Sequence, residues 1–343
     1  MIVDEYIEPA VLTGFVREVP APAELILNRF LPDRYIADIE AAFDQVTKVN
    51  RAASFRAWDA ETKVGERDRF QRSRIKLPPL GVKTPIGEQE RLLLERIRTG
   101  GDNRNGYVDA IYDDAANNAR AVYNRMEIAR GDVLQDWKFT LTGEGNLSLE
   151  ADFGMPAGHA VTASVVWSDH ADASPLTDLK AWVKNYVDAN GVRPAYMLTS
   201  STVISNLLMS REIRELAGSL AGVPTLVTEQ QLNQVLTAHR LPVLVEYDTR
   251  IDVDDVDTRV IAEDRIIFLP ADPSSLGFTA WGVTAESLEL AAGQNPSLEF
   301  TQLPGLVGVV LKEGDPLRIW TKVGAVGMPL ITNPRRLMVA DVL

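Results

Sequence analysis

The sequence predicts an α+β protein of two lobes, and three observations carry that prediction. One unbroken helical period runs over residues 107–137. Strand-like runs separated by turn residues follow it. From residue 174 onward, capped helical segments alternate with strand-like ones. The chain has 343 residues, and a single core usually stops growing near about 250–300 residues, so two lobes are expected.

Residues 1–44 read as an arm. Pro9, Pro20, Pro22 and Pro32 punctuate it, and its apolar residues fall in short clusters such as Leu25-Ile-Leu and Phe30-Leu31. Such a segment buries little by itself and is expected to lie on the body or on a neighbour. Residues 45–85 read as an extended β-hairpin loop ended by Pro78-Pro79 and Gly81. From Arg51 to Lys76 the cations are Arg51, Arg56, Lys63, Arg67, Arg69, Arg72, Arg74 and Lys76, against the acids Asp59, Glu61, Glu66 and Asp68. The spacing of two within Arg67/Arg69 and Arg72/Arg74 puts each pair on one strand face. A solvated charged loop is the other reading of this composition.

The segment 86–173 is expected to hold the long helix and a hairpin. Val108, Ile111, Tyr112, Ala115, Ala119, Val122, Tyr123, Met126, Ala129, Val133 and Trp137 recur at steps of three and four. Asn117, Asn118, Asn124 and Arg125 fall on other faces. Thr142-Gly-Glu-Gly-Asn is turn chemistry between two strand-like runs, and a third strand over 160–167 is expected to join them.

Residues 174–316 read as a second lobe, α/β or α+β, in which strand and helix alternate. Ser174-Pro175 opens a helix that Asn190-Gly191 stops. Ser201 is the expected cap of the next helix, and Thr228-Glu-Gln-Gln231 is a capping box for another. Strands are expected at 195–199, 243–247 and 265–269. Residues 317–343 hold two more, returning to the body.

The composition excludes several chemistries. The chain has no cysteine, so disulfides, thiolate nucleophiles and cysteine metal sites are out. His159, His170 and His239 share no metal or triad spacing and are expected to be structural. Asp252, Asp254, Asp255 and Asp257 lack the glycine and glutamate of a calcium loop and read as a charged hairpin tip. No phosphate-cradling or nucleophile motif is present, and no cofactor is expected. The formal charge of −13 disfavours generic nucleic-acid binding, which needs clustered cations. No secretory signal or membrane span is read from the sequence.

The order of these parts, with Arg29-Phe-Leu-Pro32, Arg91–Arg104, Trp137-Lys-Phe-Thr-Leu-Thr-Gly, Asp178-Leu-Lys-Ala-Trp182, Pro194-Ala-Tyr-Met-Leu, Gly277-Phe-Thr-Ala-Trp-Gly-Val-Thr284 and Asp315-Pro-Leu-Arg-Ile-Trp320, resembles the major capsid proteins of tailed bacteriophages, in the lambda-like branch. The resemblance implies the HK97-type capsid fold. It makes 45–85 the extended loop that overlaps a neighbour, 86–173 the peripheral domain with 107–137 as its spine helix, and 174–316 the axial domain. It implies a non-enzymatic shell subunit that assembles with itself into pentamers and hexamers around DNA. Scaffold, portal and decoration proteins are the further partners it suggests, with assembly in the host cytoplasm and residence in the virion. The interface candidates are Arg51, Arg56, Trp58, Arg67, Arg69, Arg72, Arg74 and Lys76. An encapsulin-type nanocompartment of the same fold and a soluble acidic α/β enzyme are the alternatives.

Overall fold

A computed structural model describes residues 7–47, 55–56, 58, 61, 69–88, 106–144, 147–218, 227–292, 303–313 and 318–343. In chain order, helix α1 (Pro9–Glu18) precedes strand β1 (Asp33–Tyr35), the paired strands β2 (Glu40–Thr47) and β3 (Arg69–Lys76), and β4 (Pro79–Ile86). Helix α2 (Gly106–Asp136), β5 (Lys138–Glu144), β6 (Leu147–Asp152) and β7 (Ala160–Thr162) follow. Then come α3 (Pro175–Asn190), β8 (Tyr196–Thr199), α4 (Ser201–Met209), α5 (Arg211–Ala217), α6 (Glu229–Ala238), β9 (Val243–Glu246), β10 (Arg250–Val253), β11 (Val256–Arg259) and β12 (Arg265–Leu269). Strand β13 (Gly277–Trp281), α7 (Ala285–Ala292), β14 (Val307–Glu313), β15 (Arg318–Ile331) and β16 (Met338–Asp341) complete the chain.

Two sheets carry the fold, and both interleave distant segments. The first runs β1-β13-β15-β14, with β4 also paired to the long β15. The second runs β7-β16-β12-β8-β9. The sequence reading puts 174–316 in one lobe, whereas β13 and β14 pair with β15 in the first sheet. It joins the strand after residue 160 to the β5–β6 hairpin, whereas β7 pairs in parallel with β16 in the second sheet. Local pattern marks a strand but not its partner, because pairing between separate segments leaves no periodicity in either.

Helix α2 matches the expected spine almost residue for residue. Ile111, Ala115, Ala119, Val122, Met126, Ala129 and Val133 are buried in the larger core, against β15 and β4. Gly131 faces the backbone at Val260, where an added Cβ would collide with the carbonyl oxygen. The helix ends on Trp137, a non-glycine residue in the left-handed region (φ 61°). That conformation costs about 1–2 kcal/mol. Burial of the ring and the indole N–H donated to the Pro334 carbonyl (3.0 Å) offset it.

The N-terminal segment lies on the body, one of the two places expected for it, and is built into the core. Leu12 and Val16, four apart on α1, are fully buried, as are Leu27, Phe30 and Leu31. Thr13 donates to the Gly308 carbonyl (3.1 Å) and Arg17 to that of Leu306 (2.8 Å), fixing α1 along β14. The sequence reading missed α1 because the apolar stripe is only two turns long. The second core forms around β8, β12 and β16, with Trp182, Tyr186, Val203, Leu207 and Leu232 supplied by the helices.

Candidate assembly surfaces

Strands β2 and β3 form an antiparallel ladder of eight pairs, from Glu40↔Lys76 to Thr47↔Arg69. Among the described residues no third strand joins them. The root is fixed: Ala41 and Leu77 are buried, the Leu77 N–H donates to Ile39, and Asp38 Oδ1 accepts from the N–H groups of Ile39 and Glu40. At about 3.3 Å per residue the ladder carries the chain about 25 Å from that root. The expected loop boundaries, 45 and 85, shift accordingly. The ladder begins at Glu40, and β4 belongs to the body because all eight of its residues pair with β15.

The eight candidate residues fall unevenly on this element. Arg74 and Lys76 are exposed on β3. Arg69 and Arg72 are described by backbone only; the register sets Asp44 opposite Arg72 and Glu40 opposite Lys76. Arg56 is exposed, and Trp58 is 96% exposed, the reverse of what an indole does in a monomer's core. Phe55 is equally open. Arg51 and Arg67 lie outside the described residues.

A groove of about 670 Å³ runs along α2. Pro79 and Val82 of β4, Met126 of α2 and Phe139 of β5 give it apolar walls. Asp132, Asp252 and Asp254 lie on its lining together with one cation, Arg125. Burial pushes the Asp132 carboxyl upward, partly opposed by the hydrogen bond it accepts from the Thr140 N–H (2.9 Å). Asp254 and Asp255 adopt positive φ at the β10–β11 turn, where short polar side chains tolerate it, and Asp252 Oδ1 accepts from the Asp255 N–H. The tight-turn reading of the aspartate run therefore holds.

A buried polar network, missed from sequence, locks the body behind these surfaces. Glu127 Oε1 accepts from the Leu27 N–H (2.8 Å) and the Tyr247 hydroxyl (3.0 Å), and its Oε2 from Arg130 Nη1 (3.1 Å). Arg130 Nη2 donates to Asp33 Oδ1 (2.6 Å) and its Nε to Thr279 Oγ1 (2.9 Å); Trp281 Nε1 also donates to Asp33 Oδ1 (2.8 Å). Burial first, and then the Glu127 charge, push the Tyr247 hydroxyl strongly upward, so it stays a donor. Asn118, on a face beside the apolar stripe, is buried too: its Nδ2 donates to the Thr321 carbonyl and its Oδ1 accepts from Thr84. The signal available was Glu127 and Arg130 themselves, two charges adjoining the apolar stripe of a long helix.

The family model for phage major capsid protein E matches residues 8–342. The chain belongs to the phage major capsid protein E family. It is a structural subunit of a capsid shell, and the capsid is a part of the virion. Its fold is of the HK97 type. The crystal structure of a putative capsid protein of a prophage from Escherichia coli CFT073 is similar over 100% of both chains, with TM-score 0.63 and 14% identity. A phage-related protein from Bordetella bronchiseptica RB50 is similar over 96% of both chains, with TM-score 0.57 and 12% identity. No curated protein sequence matches the chain. The family match favours the phage shell over the nanocompartment alternative.

Proposed function

We propose that this capsid protein is the repeating, non-enzymatic subunit of an icosahedral head that encloses double-stranded DNA, in rings of five and six copies. The β2–β3 ladder is the observation that carries the reading. A two-stranded ladder is marginal in water by itself, yet this one leaves a firmly anchored root with Trp58, Arg74 and Lys76 open to solvent. A neighbouring subunit is the cover it lacks, and Arg51, Arg56, Trp58, Arg67, Arg69, Arg72, Arg74 and Lys76 are its contact residues. Head-to-tail contacts between identical chains close into rings by rotation.

In this reading α2 and the first sheet form the peripheral domain, and the second sheet with α3 to α6 surrounds the ring axes. The net charge of −13 suits a container that holds DNA without sequence-specific contact. Scaffold, portal and decoration proteins complete assembly in the host cytoplasm. Expression followed by sizing and negative-stain microscopy tests the proposal, with closed particles as the expected result. A sharp monomer at high concentration, under crowding and on co-expression with the neighbouring phage genes, would overturn it.

A further inference from the structure

We propose that an arginine band at one end of the second sheet, formed by Arg29, Arg193, Arg240, Arg335 and Arg336, is the lumen-facing contact of this subunit with the phosphate backbone of the enclosed DNA. This deepens the shell reading and rests on it, because a closed shell sets DNA against one side of every copy. Three observations converge on the band.

The first is placement. At this end of the sheet β16, β8 and β9 begin and β12 finishes, with Phe268 opposite Met338, Leu269 opposite Tyr196 and Tyr196 beside Val243. Arg335 and Arg336 lead into β16, Arg193 into β8 and Arg240 into β9. Contacts tie these segments together. Asn190 Nδ2 donates to the Arg335 carbonyl (2.7 Å), and Arg193 Nη1 donates to that of Arg240 (3.1 Å). Arg29 joins from the N-terminal segment: it donates to the Tyr196 hydroxyl (3.1 Å), and its guanidinium lies 4.8 Å from the ring centre. A strand spacing of about 4.8 Å spreads the band over about 14 Å, enough for its arginines to meet both strands of a duplex across a major groove of about 12 Å.

The second observation is uncancelled charge. Arg29, Arg193, Arg240 and Arg335 are exposed, and no member of the band forms an ion pair among the described residues. Arg336 Nε is buried there without a hydrogen-bond partner. Asp272, the acid that follows β12, spends its Oδ1 on the N–H and hydroxyl of Ser274. The opposite end of the same sheet is built the other way: Arg259 pairs with Asp248 and Glu263, and Arg265 with Asp264 and Asp341. Those arginines find their counter-charge within the chain; the band needs it from outside. The third observation is what can supply it. The subunit spreads a net −13 over 19297 Å² of surface, whereas duplex DNA carries one negative charge per about 1.7 Å of axis. DNA is therefore a far denser counter-charge than a second copy. A chain this acidic lies against DNA without repulsion where its surface is locally positive. The guanidinium fork also matches a phosphate with two hydrogen bonds.

Fluorescence anisotropy of a short labelled DNA duplex with unassembled subunit tests the contact. Four or five phosphate contacts should weaken binding by about 150–500-fold between about 50 and 200 mM salt. Arg240 holds φ 55°, a left-handed position after a helix that glycine fills easily, so Arg193→Gln with Arg240→Gly removes two cations and keeps the turn. With circular dichroism unchanged, this pair should flatten the log–log salt slope by about 2 and lower affinity at about 50 mM salt by about 100-fold. Unchanged affinity and slope would overturn the proposal. A slope that follows Arg72→Gln with Arg74→Gln in the extended loop, and not the band pair, would give the DNA to that loop and overturn it too. The face is tested on particles. The chain has no cysteine, so Arg335→Cys is a single thiol. A bulky polymer maleimide should label it in free subunit but not in closed shells, which a small maleimide should still reach. Polymer labelling of closed shells would put the band outside, and protection from both reagents would bury it between copies; either overturns the proposal. A wild-type chain that forms no particles would remove the shell reading, while the titration would still read the band.

Discussion

Replacing Glu127 by alanine strips three hydrogen bonds from the middle of the body at once. The Leu27 N–H and the Tyr247 hydroxyl lose the oxygen they share, and Arg130 keeps only Asp33 as a charged partner. A buried donor left without an acceptor costs about 1–3 kcal/mol, and breaking a buried ion pair by removing one partner costs about 3–5 kcal/mol. These overlap, so about 4 kcal/mol is the expected loss. Unfolding entropy near 2.1 cal/mol/K per residue makes that about 6 °C in Tm for a chain of this length. Glu127→Gln keeps an acceptor for both donors and should lose about half as much. Thermal unfolding of unassembled subunit by circular dichroism measures both. Adding Tyr247→Phe should cost less on the Glu127→Ala background than on the wild type, because the two groups share one bond. A Glu127→Ala protein melting within about 1 °C of wild type would refute the view that this network holds the N-terminal segment to the spine helix.

Leu12→Ala should destabilise the subunit by about 2–5 kcal/mol, since Leu12 is fully buried beside β14; limited proteolysis should correspondingly spare residues 9–36 in the wild type and reach them in the variant. Burial lowers the His159 pKa below its ordinary 6.5, with the Ala157 and Arg335 carbonyls acting in the opposite sense. The folded state therefore binds fewer protons there than the unfolded one, and this stability is complete above pH 6.5 and is lost as pH falls from there through the folded value. His159→Gln should show a smaller drop in Tm between pH 7.5 and 5 than wild type. Arg67→Glu with Arg69→Glu should give a folded, soluble subunit that fails to form particles by electron microscopy, and wild-type assembly should weaken with added salt; normal particles from the double variant would remove these two residues from the interface.

What the sequence made legible was local. The α2 stripe from Ile111 to Val133, the Thr228/Gln231 capping box and the Gly191 stop in the left-handed region all appear where the residues imply them. Each rests on groups within four or five positions of one another. The next helix is capped by Ser200, one residue before the expected Ser201, because the side chain that reaches the Val203 N–H decides the boundary. Pairing was not legible. Nothing near Ala160 announces that β7 meets β16, and nothing near Asp33 announces Arg130 or Trp281. The groove was invisible for the same reason, since α2, β4, β5 and β10 build it together. The basic, aromatic-bearing loop could be read as a surface feature.

The parallel pairing of β1 with β13 bears on when this chain can fold at all. Asp33 and Trp281 stand 248 residues apart, and ribosomes add about 5–20 residues per second, so about 12–50 s separate their synthesis. The first sheet cannot close before β15 exists, and the second waits for β16 to fill the place between β7 and β12. Neither half can be finished on the ribosome while the other is still being translated. For that interval Leu12, Val16, Phe30 and Leu31 lack the cover they have in the finished fold. The two sheets therefore close late and together, on the C-terminal strands β15 and β16.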